Sequence, residues 1–216
     1  LIFVTGRNKR AIEDHFDSNH ELEATLLKAG KNDQADTVRN ILPEGIQCIF
    51  VRQPEQLGLG HAVLCAERAV GNETFAVLLA DDFITDNKRG VTSALVDAYL
   101  NSGKSQLSIM KVDGPEISKY GVVVQSKTGE NISGLVEKPI YRDAPTNLAS
   151  IGRYVLTPDI FDILRKIPKG SGNELQLVDA IDVQAKNEAV DTVMLEGTRF
   201  DCGSVDGYIS AINHEY

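Results

Sequence analysis

Short strand-like runs alternate with helix-like stretches through the first half of the chain, and this alternation limits the fold more than any other feature. The runs lie at residues 1–5 (Leu-Ile-Phe-Val-Thr), 46–51, 75–80 (Phe-Ala-Val-Leu-Leu-Ala) and 106–112. The first and third carry no interior charge and read as strands buried on both faces. Between them, Ser18-Asn19-His20-Glu21 matches a capping box for a helix stopped by Gly30, and residues 33–42 form a shorter helical stretch. Gly58-Leu59-Gly60 opens a helix over 61–69, and residues 91–100 are helical with Gly103 beyond them. This order predicts a mostly parallel sheet with helices on both sides.

From Gly121 the pattern changes. Residues 121–125, 132–137 and 148–156 read as strands joined by turns, a small antiparallel insertion in a mixed sheet. Thr157-Pro158 starts a helix to 166, followed by a helix over 174–185, a strand over 191–195 and a helix over 205–214. The expected class is α/β, with a Rossmann-like, mostly parallel mixed sheet. No repeat or Pro/Gly/Ser linker divides the 216 residues, so residues 1–216 read as one domain.

Charge excludes one large class of partner. Lys and Arg number 22 against 31 Asp and Glu, a net charge of −9, so the chain has no general affinity for nucleic-acid backbones. To bind phosphates it needs a local set of donors or a bound cation. Cys48, Cys65 and Cys202 are odd in number and lie outside any CxxC or Cys/His cluster, which argues against a zinc site and for a reducing, cytoplasmic setting. The apolar run 75–80 is far too short to cross a membrane.

Several residues could carry chemistry, each with a plainer alternative. Asp81 follows directly on the apolar run, at the carboxyl end of a strand where ligands of α/β sheets gather. It reads as a Mg2+ ligand or as a turn aspartate capping the next helix, and Asp82 beside it as a cap or supporting residue. Asp201, in Phe200-Asp201-Cys202-Gly203-Ser204, reads as a second carboxylate for that metal or as an Asx-type turn. Gly58 allows close backbone approach to a ligand, but Val63 breaks any dinucleotide fingerprint. Gln53 can read a base edge or sit in a solvated loop. His61 reads as a first-turn residue satisfied locally. Glu137 and Lys138 form either an exposed ion pair or a pair binding sugar hydroxyls and a phosphate.

The ordered set is more specific than its parts. Gln53, Gly58-Leu59-Gly60-His61-Ala62-Val63, Leu79-Ala80-Asp81-Asp82, Tyr120-Gly121-Val122-Val123, Val136-Glu137-Lys138-Pro139, Gly152-Arg153-Tyr154-Val155-Leu156, Asn173-Glu174-Leu175-Gln176-Leu177 and Asp201-Cys202-Gly203 occur in one order along the chain. Together they resemble the bacterial UTP–glucose-1-phosphate uridylyltransferases, a branch of the sugar-phosphate nucleotidyltransferases. The resemblance covers essentially the whole chain. It implies that Asp81 and Asp201 hold Mg2+, that Gln53 and Gly58 contact the uracil of UTP, that Gly121, Glu137 and Gly152 line the glucose pocket, and that Lys138 binds the phosphate of glucose 1-phosphate. It also implies a homo-oligomer, dimer or tetramer.

Two departures accompany it. Val178 stands where the family usually has Thr. The family's Gly-x-Gly-Thr-Arg triphosphate loop, and the Lys-Pro that follows it, find no match. The expectation is therefore a domain truncated at its front, with little activity in these 216 residues alone. A catalytically silent sugar-nucleotide binder, a relative with another base or sugar preference, and a metal-dependent glycosyltransferase using Asp81-Asp82 are the alternative readings.

Overall fold

The computed structural model describes residues 1–86, 89–126 and 132–215. Its strands are β1 (Ile2–Thr5), β2 (Ile49–Arg52), β3 (Phe75–Leu78), β4 (Asp82–Thr85), β5 (Ser105–Lys111), β6 (Gly121–Gln125), β7 (Ile132–Glu137), β8 (Leu148–Leu156), β9 (Val190–Met194) and β10 (Thr198–Asp201). Its helices are α1 (Arg10–Phe16), α2 (His20–Lys28), α3 (Asn32–Arg39), α4 (Leu59–Cys65), α5 (Glu67–Val70), α6 (Val91–Ser102), α7 (Asp159–Lys166), α8 (Leu177–Lys186) and α9 (Val205–Glu215). The α/β class and the mixed sheet expected from the sequence are both present, but the sheet is not mostly parallel: among the described residues only β1·β2 and β5·β9 pair in parallel and the other pairings are antiparallel.

The main sheet runs β7-β6-β8-β5-β9, with β3 also on β8. β8 is its hub rather than part of a peripheral insertion. One edge of β8 pairs with β5; the other is shared, β6 pairing at Ala149 and Ser150 and β3 from Arg153 to Leu156. All three pairings are antiparallel, whereas β5 and β9 are parallel. The hand-over from β6 to β3 falls at Ile151 and Gly152, where the Leu79 N–H donates to the Gly152 carbonyl at 2.9 Å. Two further ribbons stand beside this sheet: parallel β1·β2 and antiparallel β4·β10.

The largest core lies between one sheet face and α4, α7 and α8. It joins Leu107, Ile109, Val123, Leu135 and Leu156 of the sheet to Ile160, Phe161, Leu164, Leu177 and Ile181 of the helices. Helix α7 shows why these residues form such an element. Asp159 and Asp162 sit in its first turn and Arg165 and Lys166 in its last, complementing the helix dipole. Ile160 and Leu164, four residues apart, are buried on one stripe, and each contributes roughly 1.5–3 kcal/mol by leaving water. Helix α6 covers the opposite face through Val91 and Leu95, packed on Val155.

Three local readings change. Residues 75–80 do not form a strand buried on both faces: β3 ends at Leu78, which is 55% exposed, and alternates in burial. Among the described residues β3 pairs only with β8, so its other edge carries no neighbour to cover it. β1 likewise pairs only with β2, and Ile2, Phe3 and Val4 are half-buried. At the start of α2 the cap is Asn19 and not Ser18: Asn19 Oδ1 accepts from the Leu22 N–H at 3.0 Å.

Candidate active site

The β4·β10 ribbon brings together two carboxylates that lie far apart in sequence. Asp201 pairs with Asp82 at the end of the ladder, and the Cys202 N–H donates to the Asp81 carbonyl at 2.8 Å, extending it past the strand. Asp81 and Asp201 therefore face the same turn. A side chain on Gly203 would begin 3.1 Å from Asp201 Oδ1 and 3.3 Å from Asp81 Oδ2. The glycine keeps the space between the carboxylates open. Asp201 Oδ1 also accepts from the Gly203 N–H at 3.2 Å, the Asx-type turn of the plainer reading.

Asp82 does different work from its neighbour. It is 4% exposed, and its Oδ1 accepts from Arg199 Nε at 2.7 Å and from Arg199 Nη2. Its Oδ2 accepts from the Gly152 N–H at 2.6 Å. Arg199 Nη1 donates on to the Tyr120 hydroxyl at 3.0 Å. Burial opposes the charge on Arg199, but hydrogen bonding and Coulombic attraction to Asp82 outweigh it and raise its pKa. Arg153 donates to the Leu79 and Asp82 carbonyls at 3.0 and 2.7 Å. Burial lowers the Arg153 pKa against the pull of Asp82 and Asp81. These bonds tie the two-carboxylate turn to Gly152, where β8 passes from β6 to β3. Sequence reading missed both arginines, although Arg199 lies two residues from Asp201 on one strand, a spacing that places them on the same face.

Glu137, Gly121 and Ser150 stand opposite one another on β7, β6 and β8 and share one face. A Cβ on Gly121 would meet Val178 Cγ2 at 2.9 Å and Glu137 Oε2 at 3.4 Å; one on Gly152 would meet Asp82 Oδ2 at 2.5 Å and Leu79 Cβ at 2.7 Å. Both positions are therefore confined to glycine by packing. Burial pushes the Glu137 carboxyl above the ordinary carboxylate value, opposed by Lys138 beside it at 3.4 Å. The Tyr154 phenol is pushed up to about 12, chiefly by burial, and stays neutral. Lys138 has a positive φ of 44° while its N–H donates to the Tyr120 carbonyl at 3.0 Å. That kink is costly for a non-glycine residue, and the Lys138 side chain is 62% exposed.

Gln53 and Gly58 form a second cluster. Gln53 Nε2 donates to the Gly58 carbonyl at 3.1 Å and lies 3.1 Å from His61 Nδ1. Gly58 has φ +96°, and a Cβ there would lie 2.8 Å from both Glu174 Cβ and the Leu175 carbonyl. Reciprocal backbone bonds, Leu175 N–H to Leu57 carbonyl at 2.7 Å and Gly60 N–H to Leu175 carbonyl at 2.8 Å, clamp this loop to the segment before α8. The start of α8, through Val178, also roofs Gly121, so one helix start supports both clusters. None of the hydrogen bonds among the described residues joins Gln53 or Gly58 directly to Asp81 or Asp201.

Among the described residues no group of three or more His, Cys, Asp and Glu gathers at one point. Asp81 and Asp201 nevertheless fit a small hard cation, which takes oxygen ligands and completes its shell with water and substrate phosphates. Cys48, Cys65 and Cys202 are free thiols. No helix among the described residues is long and apolar enough to cross a membrane.

Known proteins resemble this chain along its whole length. The profile of the nucleotidyl transferase family matches residues 1–216. A UTP–glucose-1-phosphate uridylyltransferase of Haemophilus influenzae is 41% identical over 230 residues, covering 100% of this chain and 78% of the relative. A solved UDP-glucose pyrophosphorylase complexed with UDP-glucose superposes with a TM-score of 0.87 at 42% identity, covering 100% of this chain and 80% of that one. A UTP-bound UGPase from Acinetobacter baumannii gives a TM-score of 0.90 at 39% identity, with 99% and 75% covered.

Proposed function

This chain belongs to the nucleotidyl transferase family, and on that premise we propose that it is the uridylyltransferase that converts UTP and glucose 1-phosphate to UDP-glucose and pyrophosphate. The observation that carries the reading is the pair Asp81 and Asp201 facing one turn, wired through Asp82 to Gly152, in a chain similar throughout to such enzymes. A phosphate oxygen of glucose 1-phosphate forms the new bond to the α-phosphorus of UTP, the bond from the α-phosphorus to its bridging oxygen breaks, and pyrophosphate leaves with that electron pair. No protein nucleophile is required. What the site must supply is alignment of two anionic substrates and neutralisation of their charge.

Each residue has a task in this reading. Asp81 and Asp201 would hold Mg2+, which when bound neutralises phosphate charge that an acidic protein otherwise repels. Lys138 places an exposed ammonium at the pocket rim for the sugar phosphate. Glu137 accepts from sugar hydroxyls, while Gly121 and Gly152 line the glucose pocket. Gln53 and the loop at Gly58 contact the uracil. The three free thiols support a reducing, cytoplasmic setting. An exposed apolar stripe on α9 (Val205, Tyr208, Ile209, Ile212) supports a dimer or tetramer.

The test is Asp81→Asn in protein expressed from its complete reading frame, assayed for pyrophosphate release with UTP, glucose 1-phosphate and Mg2+. Turnover should fall by about 100-fold or more. Undiminished turnover would remove Asp81 from the reaction and with it the proposed site.

A further inference from the structure

We propose that His61 supports the base selectivity of the nucleotide pocket by taking the second amide hydrogen of Gln53, so holding in place the orientation that the Gly58 carbonyl sets. The inference rests on the uridylyl-transfer reading above and deepens it. The reasoning begins at the Gly58 carbonyl. A carbonyl oxygen only accepts hydrogen bonds, so the Gln53 atom 3.1 Å from it is the amide nitrogen. That nitrogen has one further hydrogen, and His61 Nδ1 lies 3.1 Å away. To receive it, Nδ1 must carry a lone pair, which places the ring proton on Nε2. There it meets Cys65 Sγ at 3.8 Å, a weak acceptor. Burial pushes the Cys65 thiol up, so the sulfur stays uncharged.

Both amide hydrogens of Gln53 are thus spent inside the protein, and its Oε1 has no partner among the described residues. The backbone is held too: the Gln53 N–H donates to the Thr5 carbonyl at 2.8 Å, continuing the β1·β2 ladder. Turning the amide over would set an oxygen against the Gly58 carbonyl, which can only accept. Gln53 therefore presents an acceptor and no donor. Uracil and thymine carry a donor at N3; cytosine carries a lone pair there. Set against the base N3, Gln53 Oε1 accepts from the first two and repels the third. His61 touches neither substrate nor reacting atoms and acts as a positioning residue.

The test compares kcat/KM for UTP and CTP in protein from the complete reading frame, unmodified and with His61→Phe, His61→Asn, Gln53→Ala and Gln53→Ala combined with His61→Phe. His61→Phe removes the acceptor, and the UTP-to-CTP ratio should fall about tenfold, the value of one hydrogen bond. Asparagine places Oδ1 where Nδ1 stood, so His61→Asn should keep the ratio. With Gln53 already gone, His61→Phe should not move the ratio further. General damage to the fold lowers UTP and CTP turnover together and leaves the ratio alone. An unmoved ratio in His61→Phe, equal loss in His61→Asn, or a persisting His61→Phe effect without Gln53 each overturns the inference alone. Absence of UTP turnover in the unmodified protein overturns the function and this inference with it.

Discussion

Removing the guanidinium of Arg199 isolates the contribution of the buried ion pair beneath the site. Arg199 and Asp82 are 11% and 4% exposed in their side chains. Arg199→Met keeps much of the aliphatic volume but removes both Arg199 donors to Asp82 and the donor to Tyr120. The Asp82 carboxylate is then left buried with the Gly152 N–H as its remaining side-chain partner. Breaking a buried pair from one side costs about 3–5 kcal/mol, because the stranded charge keeps its desolvation penalty. For a chain of this size each kcal/mol lowers the melting temperature by roughly 2–4 °C. Arg199→Met should therefore lower Tm by about 6–20 °C at neutral pH. Adding Asp82→Asn removes the charge and keeps an acceptor for Gly152, so the double variant should recover at least about half of the loss. Thermal and urea unfolding of both variants at pH 7 decide the matter. A shift within about 2 °C for Arg199→Met, or a double variant no more stable than the single, refutes the view that this pair is desolvated and mutually dependent.

Lys138→Ala should raise the KM for glucose 1-phosphate about tenfold or more, the scale of one charge-assisted contact, and leave the KM for UTP nearly unchanged; steady-state kinetics with each substrate varied shows which one responds. Glu137→Gln should change how stability depends on pH. The native state holds the Glu137 proton to higher pH than the unfolded chain does, chiefly because of burial. Stability is therefore lost as pH rises from the ordinary carboxylate value through the raised one. The glutamine variant should be the more stable protein at pH 7, with that advantage fading near pH ~4, where both forms are neutral. Urea midpoints at the two pH values test the sign, and an advantage that grows in acid contradicts it.

The sequence carried the composition of the candidate site because reactive groups are encoded one residue at a time. Asp81, Asp201, Glu137, Lys138, Gln53 and the glycines at 58, 121 and 152 stand out by type, by position at strand or helix ends, and by their order. Elements with strong local signals were equally legible, as α7 shows with its buried stripe and charged ends. What could not be read locally was pairing. β8 became the hub of the sheet because its edge is shared by β6 and β3, and β3 is half exposed for want of a second neighbour among the described residues.

The same distinction separates the two adjacent aspartates. By sequence, Asp81 and Asp82 differ only in their place before a turn. In three dimensions the β4·β10 ladder turns one toward Asp201 and the other into a buried pair with Arg199. The Gln53 amide follows that rule as well. Its residue type allows either end to face a base, and only the Gly58 carbonyl and His61 ring, brought near by the fold, choose the oxygen. Chemical capacity is a property of each side chain. Which charge is desolvated and which is left for a ligand depend on neighbours supplied by long-range contacts, and which end of the Gln53 amide faces outward depends on how the fold closes its own loop. Those were decided by the tertiary structure alone.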